Sequence, residues 1–219
     1  MIVLVAVGVL IISFLLGSIP WGLIISRVFY HTDIREHGSG NIGTTNAMRT
    51  MGKAGGIAVF LLDFGKGLLS GALALAVLWI FVSGSSLSDS ASVYHLILAL
   101  ATAGCVLGHI FSPWLGFKGG KGIAVAVGCL FISFGVVAAL VEVVIFASLV
   151  IATRYVSVGS LAAACACPVI ACILYWGDWA CVLCFLLTAA VVIWAHRTNI
   201  KRLREGTENR IGDKKRAES

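Results

Sequence analysis

Long uncharged stretches alternate along this chain with short segments that hold nearly all of its basic residues, and that pattern constrains the fold more than any other feature. Residues 2–26 contain no charge, residues 54–82 carry only Asp63 and Lys66, and residues 93–114 carry nothing beyond His95 and His109. Residues 122–153 carry only Glu142, while 156–175 and 179–195 carry none. About 20 apolar residues cross a bilayer core as a helix, and lipid admits only a backbone that satisfies its own hydrogen bonds. Charged residues make up 12% of the 219, half of the ~25% usual in soluble domains. The pattern predicts an all-α integral membrane protein. It reads as one polytopic domain over residues 1–219, with a charged cytoplasmic tail from about 197.

The segment 122–153 is 32 residues long, ~48 Å as one helix, which exceeds a ~30 Å core. A division near 134–138 makes it a helical hairpin and gives seven transmembrane helices. Six spans, with one long tilted helix, is the alternative. With seven spans and the N-terminus outside, the inner segments are 27–53, 114–121, 154–156 and 196–219, and they hold fifteen of the sixteen Lys and Arg residues. Cytoplasmic segments carry such an excess, so charge favours seven spans and a cytoplasmic C-terminus. The first stretch lacks the basic start of a cleaved signal peptide and reads as a retained helix. The net charge of +6 follows from the same asymmetry and from contact with anionic headgroups, so no nucleic-acid partner is expected. All seven cysteines fall inside apolar stretches without a zinc-ligand set, and neither a metal nor another cofactor is expected.

Two glycine-bracketed polar clusters interrupt the apolar pattern on the inner side. The first is Gly38, Ser39, Gly40, Asn41, Ile42, Gly43, Thr44, Thr45 and Asn46, with Arg49 and Lys53 close behind. Successive N–H groups of such a loop can surround an anion, a following helix adds positive potential at its N-terminus, and Arg49 can grip phosphate bidentately. The second is Lys118, Gly119, Gly120, Lys121 and Gly122, again leading into a helix. It is not a Walker A loop, because residue 115 is Leu and Gly122 stands where Ser or Thr is needed. A third group starts where the last span ends: His196 and Asn199 share a helix face, and a basic run leads on to Glu208. Ser157 and Ser160 stand at the inner turn before the sixth span. Asp63 and Lys66 read as a structural ion pair, since charges inside a span need a partner, and His109 reads as a packing histidine beside the site. These groups are suited to phosphate at a membrane face, so the chain is expected to act on a phosphorylated compound at the lipid surface.

In order and spacing, these clusters resemble the bacterial PlsY-type acyl-phosphate:glycerol-3-phosphate acyltransferases. The resemblance covers nearly the whole chain and rests on 38–46 with Arg49, Asp63 to Gly67, Gly108 to Pro113, 117–124, 154–160, and His196 to Glu208. It implies a seven-helix enzyme of the bacterial inner membrane with a cytoplasmic active site. Such an enzyme moves an acyl group from acyl phosphate to the 1-hydroxyl of glycerol 3-phosphate. The products are lysophosphatidic acid and inorganic phosphate, the first step of bacterial phospholipid synthesis. Carried over by motif, Ser39, Arg49, Lys121, Ser157, His196 and Asn199 would hold and align glycerol 3-phosphate. Gly38, Gly40, Asn41, Gly43, Thr44, Thr45 and Asn46, with Gly119, Gly120, Lys121 and Gly122, would cradle the acyl phosphate. Glu208 matches the family's functional tail glutamate, and membrane lipids complete the expected partners.

Other readings of the same residues fare worse. An acyltransferase built on a His-x-x-x-x-Asp pair is excluded, because the residues five after the histidines are Glu36, Ile42, Leu100, Trp114 and Lys201. An organic-phosphate transporter should place its site near the midplane, whereas these clusters lie at one face. A CDP-alcohol phosphotransferase needs clustered intramembrane aspartates, and only Asp63 is available.

Overall fold

Residues 2–81 and 91–212 are described by a computed structural model, and no strand occurs among them. Nine α-helices follow in order: α1 Ile2–Ser18, α2 Trp21–Tyr30, α3 Thr44–Phe81, α4 Ala91–Ile110, α5 Ile123–Ser133, α6 Gly135–Thr153, α7 Val156–Leu174, α8 Trp179–Ala195 and α9 Arg197–Arg204. Residues 84–90 of the polar outer connection expected over 84–92, and the charged segment 213–216, lie outside the described residues.

Each break in these helices has a local cause. Pro20 has no N–H and parts α1 from α2, and at this break the Ile19 carbonyl accepts from both Trp21 N at 3.2 Å and Lys66 Nζ at 2.8 Å. Within α3, Gly52 takes φ 74° and ψ −173°, a conformation open to glycine alone. The segment 44–51 is therefore a separate short helix, tipped away from the long span that follows. The division expected within 122–153 falls at Phe134, between α5 and α6.

Five segments are long and apolar enough to cross a membrane: Ile2–Tyr30, Thr44–Phe81, Ala91–Leu115, Gly135–Thr153 and Val156–Leu174. α8 and α9, bent by 54°, make a sixth if counted together. α5 has only 11 residues, ~16 Å, about half a bilayer core. The hairpin is present, but its first arm is short because the chain enters it from a loop folded against the end of α4.

α4 is the buried centre, packed by α1, α3, α5 and α8. Small residues let the backbones approach, as is usual between membrane helices. A Cβ on Gly17 or Gly108 would sit 2.0 Å from a carbonyl oxygen across the α1–α4 contact, and one on Gly128 would sit 2.1 Å from Phe64 O across α3–α5. The outer faces are apolar and exposed, with Leu4, Trp79, Val137 and Ile151 among the most open side chains. That surface suits lipid tails rather than water.

Candidate active site

Three helix N-termini open into one cavity of about 500 Å³. α3 contributes Gly43, Thr44 and Thr45, α5 contributes Gly122, Ile123 and Ala124, and α7 contributes Val156 and Ser157. No side chain caps α5 or α7. Uncapped first-turn N–H groups with the helix dipole behind them attract anions. Lys121, Arg49 and Arg202 line the same end, and His196, Asn199 and Glu208 close it from the C-terminal side. From there the cavity runs between α5, α6, α7 and α8 past Val127, Val143, Phe146, Ala164 and Phe185. One end is cationic and rich in donors, and the other is an apolar arm.

The first glycine loop is built around Asn46, which is almost fully buried. Its Nδ2 donates to the carbonyls of Ile34 (3.0 Å), His37 (3.0 Å) and Asn41 (2.8 Å), and its Oδ1 accepts from Ser39 N at 2.9 Å. Asn41 Oδ1 accepts from Gly43 N at 2.9 Å. These bonds hold the loop so that Ser39, Asn41, Gly43, Thr44 and Thr45 face the cavity. Asn46 borders the cavity, but its amide is taken up by the loop and it is a scaffold rather than a ligand group. Gly38 and Gly40 shape the loop without lining the cavity.

The second cluster differs from its sequence reading. Gly119 N donates to Ile110 O (2.9 Å) and Gly120 N to His109 O (3.0 Å), so neither N–H is free for an anion. A Cβ would lie 2.0 Å from His109 O at Gly119 and 2.0 Å from His109 Nε2 at Gly120. These two glycines allow the loop to press against the end of α4, and they do not line the cavity. Only Lys121 and Gly122 of this cluster face it.

Behind the site, Lys66 Nζ lies 2.9 Å from Asp63 Oδ1 and bonds His109 Nδ1 at 3.0 Å as well as the Ile19 carbonyl. An ammonium only donates, so Nδ1 accepts and the His109 proton sits on Nε2. The intramembrane ion pair thus joins the α1–α2 break, α3 and α4 on the side where the second glycine loop packs.

A relay of polar groups ties the C-terminal side together. Lys121 Nζ donates to Asn199 Oδ1. Asn199 Nδ2 donates to Glu208 Oε1 at 2.7 Å, and Arg202 Nε donates to Glu208 Oε2 at 2.6 Å. Burial alone would raise the Glu208 pKa, but the bonds from Arg202 and Asn199 outweigh it and hold the carboxyl below its ordinary value. Burial lowers the Lys121 pKa to about 8, with Arg202 and Arg49 acting in the same direction and Glu208 opposing them. His196 is buried, and its Nδ1 bonds the Val192 carbonyl at 2.8 Å. A carbonyl only accepts, so Nδ1 carries the proton and Nε2 is left as an acceptor. Arg49 has no ion-pair partner among the described residues.

Two buried hydroxyls at this end, Thr44 Oγ1 and Ser157 Oγ, make no close hydrogen bond, although Ser157 lies near enough to Glu208 to help hold its carboxyl down. Ser160 Oγ instead donates to Val156 O at 2.9 Å, which leaves Ser157 as the free hydroxyl of the pair. The charged tail from about 197, expected to bring Asn199 and Glu208 to the site, folds back on it. Ile211 N donates to Arg154 O at 2.8 Å, the Arg210 guanidinium lies over Tyr155, and Glu208 turns inward. Arg202 was read only as part of the basic exit. Its position three residues beyond Asn199, one turn along the same helix, was the signal that could have found it.

A helical membrane bundle with a cationic pocket continuous with an apolar arm is suited to joining a phosphorylated headgroup to a lipid chain. The chain matches the family model described as glycerol-3-phosphate acyltransferase over residues 7–206. A glycerol-3-phosphate acyltransferase of Syntrophomonas wolfei is 38% identical over 207 residues, which cover 94% of this chain and 97% of that one. The crystal structure of PlsY (YgiH), an integral membrane glycerol 3-phosphate acyltransferase, in its glycerol 3-phosphate form has a TM-score of 0.80 at 33% identity, covering 94% of this chain and 96% of its own. Its lysophosphatidic acid form gives 0.77 at 32% identity, covering 94% and 95%. The chain belongs to the glycerol-3-phosphate acyltransferase family, in its PlsY type.

Proposed function

We propose that this chain transfers a fatty acyl group from acyl phosphate to the 1-hydroxyl of glycerol 3-phosphate. The products are lysophosphatidic acid and inorganic phosphate, and the reaction is the first step of bacterial phospholipid synthesis. The observation that carries this reading is the two-ended cavity, with Lys121 and three helix N-termini at one end and an apolar arm at the other. The chain works as one domain over residues 1–219. It crosses the inner membrane seven times, with its N-terminus outside and the site open to the cytoplasm. The fifteen basic residues assigned to the inner segments support that orientation.

Ser39, Arg49, Lys121, Ser157, His196 and Asn199 hold and align glycerol 3-phosphate. The turn at Gly43, Thr44 and Thr45, with Gly122 and Lys121, receives the phosphate of the donor. The 1-hydroxyl oxygen bonds to the acyl carbonyl carbon, and the bond from that carbon to the phosphate oxygen breaks. The hydroxyl proton passes to the departing phosphate, so charge and protons balance without an external base. His196 Nε2, an acceptor, orients a hydroxyl of the glycerol. Acyl phosphate is already activated, so catalysis consists of positioning and charge neutralisation. No acyl-enzyme forms.

Purified protein in detergent, given acyl phosphate and glycerol 3-phosphate without metal or coenzyme A, is expected to make lysophosphatidic acid. Lys121→Ala should cut kcat/KM by at least about a hundredfold, the usual loss when a donor to developing charge is removed. Absence of product from folded wild-type protein overturns the reading. An acylated Ser39, Ser157 or cysteine overturns the direct transfer.

A further inference from the structure

We infer that Glu142 is the floor of the donor's acyl-chain arm and sets which chain lengths the enzyme accepts. The inference rests on the acyl-transfer reading above. Glu142 is the one acidic residue of α6, it is 2% exposed, and it lines the cavity. Its Oε1 is buried without a hydrogen-bond partner. An acid inside a membrane helix is costly and normally paired, yet no ion pair involves Glu142 among the described residues. The phosphate machinery does not use it: the groups that grip phosphate lie at the opposite end of the same cavity.

The depth follows from the helices. Glu142 lies roughly three turns above the α6 C-terminus at Thr153, ~16 Å by helical rise. Thr188 and Cys167 line the deeper part of the same cavity, about two turns from His196 on α8 and about three turns from Ser157 on α7. Between the two ends the walls are apolar, with Val143, Phe146, Val150 and Val192 among them. An extended alkyl chain advances ~1.3 Å per carbon from its 1.52 Å bonds. Measured from the phosphate end, it reaches Glu142 at roughly the twelfth to fourteenth carbon.

A chain that grows along the arm gains about fourfold in affinity per buried methylene. A chain that reaches Glu142 must cover a carboxyl that it cannot hydrogen-bond, a loss of roughly five- to a hundredfold. That loss cancels the gain from one to three methylenes. Donor preference therefore stops rising where the chain meets Glu142, and the cause is polarity rather than a wall.

The test is a donor series of saturated acyl phosphates from ten to eighteen carbons, with kcat/KM for each in wild type, Glu142→Met, Glu142→Gln and Phe146→Ala. Wild type should plateau or fall beyond roughly the twelfth to fourteenth carbon. Glu142→Met should keep the wild-type KM for glycerol 3-phosphate and favour the longest donors by about tenfold or more relative to wild type. Glu142→Gln keeps a polar floor and should keep the wild-type profile. Phe146→Ala widens the arm without changing the floor and should leave the plateau in place. A Glu142→Met profile that superimposes on wild type overturns the inference, as does a Phe146→Ala enzyme that alone shifts the plateau. A wild-type enzyme that makes no lysophosphatidic acid from any donor defeats the acyl-transfer reading instead, so the two failures are distinct.

Discussion

The two glycine clusters look alike in sequence and do different work in the fold. In residues 38–46 the loop is organised by one side chain, Asn46, whose Nδ2 shares its two protons among three carbonyls and whose Oδ1 accepts from Ser39 N. Its glycines supply backbone conformations, and its polar residues turn inward. In residues 118–122 the glycines are needed for contact: Gly119 and Gly120 press on His109, and both N–H groups are already bonded. A Gly-rich run beside a lysine is thus no evidence in itself for a backbone anion cradle. The anion-binding potential comes instead from the starts of α3, α5 and α7, which the two loops position.

The comparison predicts opposite behaviour for the same substitution in each cluster. Gly119→Ala places a methyl 2.0 Å from the His109 carbonyl oxygen and 2.9 Å from that of Ile110, and backbone cannot swing aside as a flexible side chain can. This variant should not yield monodisperse folded protein. Gly40→Ala meets nothing nearer than Arg35 O at 3.2 Å, at φ +68°. It should fold, lose about 1 kcal/mol from the left-handed backbone alone, and keep most activity. Size-exclusion and thermal-unfolding profiles in detergent separate the two, and a stable, active Gly119→Ala protein would break the comparison.

A charge-based prediction concerns the residue of the second cluster that does face the cavity. Burial lowers the Lys121 pKa to about 8, and the positive charges of Arg202 and Arg49 add to it while Glu208 opposes. A depressed lysine pKa means that the cation is lost as pH rises through that value. The phosphate of the substrate becomes a dianion above about pH 6. The kcat/KM for glycerol 3-phosphate should therefore be greatest between those limits, with an alkaline limb near pH 8 that falls toward tenfold per unit. Bound phosphate favours the cation, so the limb in kcat should lie higher than the limb in kcat/KM. Glu208→Gln removes the group that favours charged Lys121 and should move the limb to lower pH. Lys121→Arg should abolish the limb. A limb unmoved in Glu208→Gln would detach the tail from the lysine.

Much of this was legible because the strongest signals are local. The uncharged stretches and the basic segments between them gave the helices, and excess length in 122–153 gave the break that falls at Phe134. Ser39, Arg49, Lys121, Ser157, His196 and Asn199 come from four separate segments of the chain, and their common location followed only from motif order. What stayed hidden depends on long-range geometry. Glu208 was named by motif, but what anchors the chain beyond it is an N–H from Ile211 to the Arg154 carbonyl, a contact between segments with no periodicity to reveal it. The packing role of Gly119 and Gly120 depends on where the end of α4 lies. Glu142 was visible as a lone charge in an apolar stretch, but its place at the foot of the cavity needed the helices around it.

The smallest predicted effect bears on the first loop and its neighbour, the start of α7. Thr44 Oγ1 and Ser157 Oγ are buried without a close hydrogen bond, whereas Ser160 Oγ donates to the Val156 carbonyl within its own helix. A buried hydroxyl without a partner contributes nothing to the fold and carries a desolvation cost. Thr44→Ala and Ser157→Ala should therefore leave thermal stability unchanged or raise it slightly. If these hydroxyls await substrate oxygens, each variant should raise the KM for glycerol 3-phosphate or acyl phosphate by about fivefold, the worth of one neutral hydrogen bond. Ser160→Ala should change neither KM. Stability kept or raised while KM rises at Thr44 and Ser157, with neither KM changed at Ser160, is the pattern of groups built for a ligand. A loss of stability with KM unchanged would return both hydroxyls to ordinary helix-start chemistry and leave phosphate binding to Lys121, the arginines and the helix N-termini.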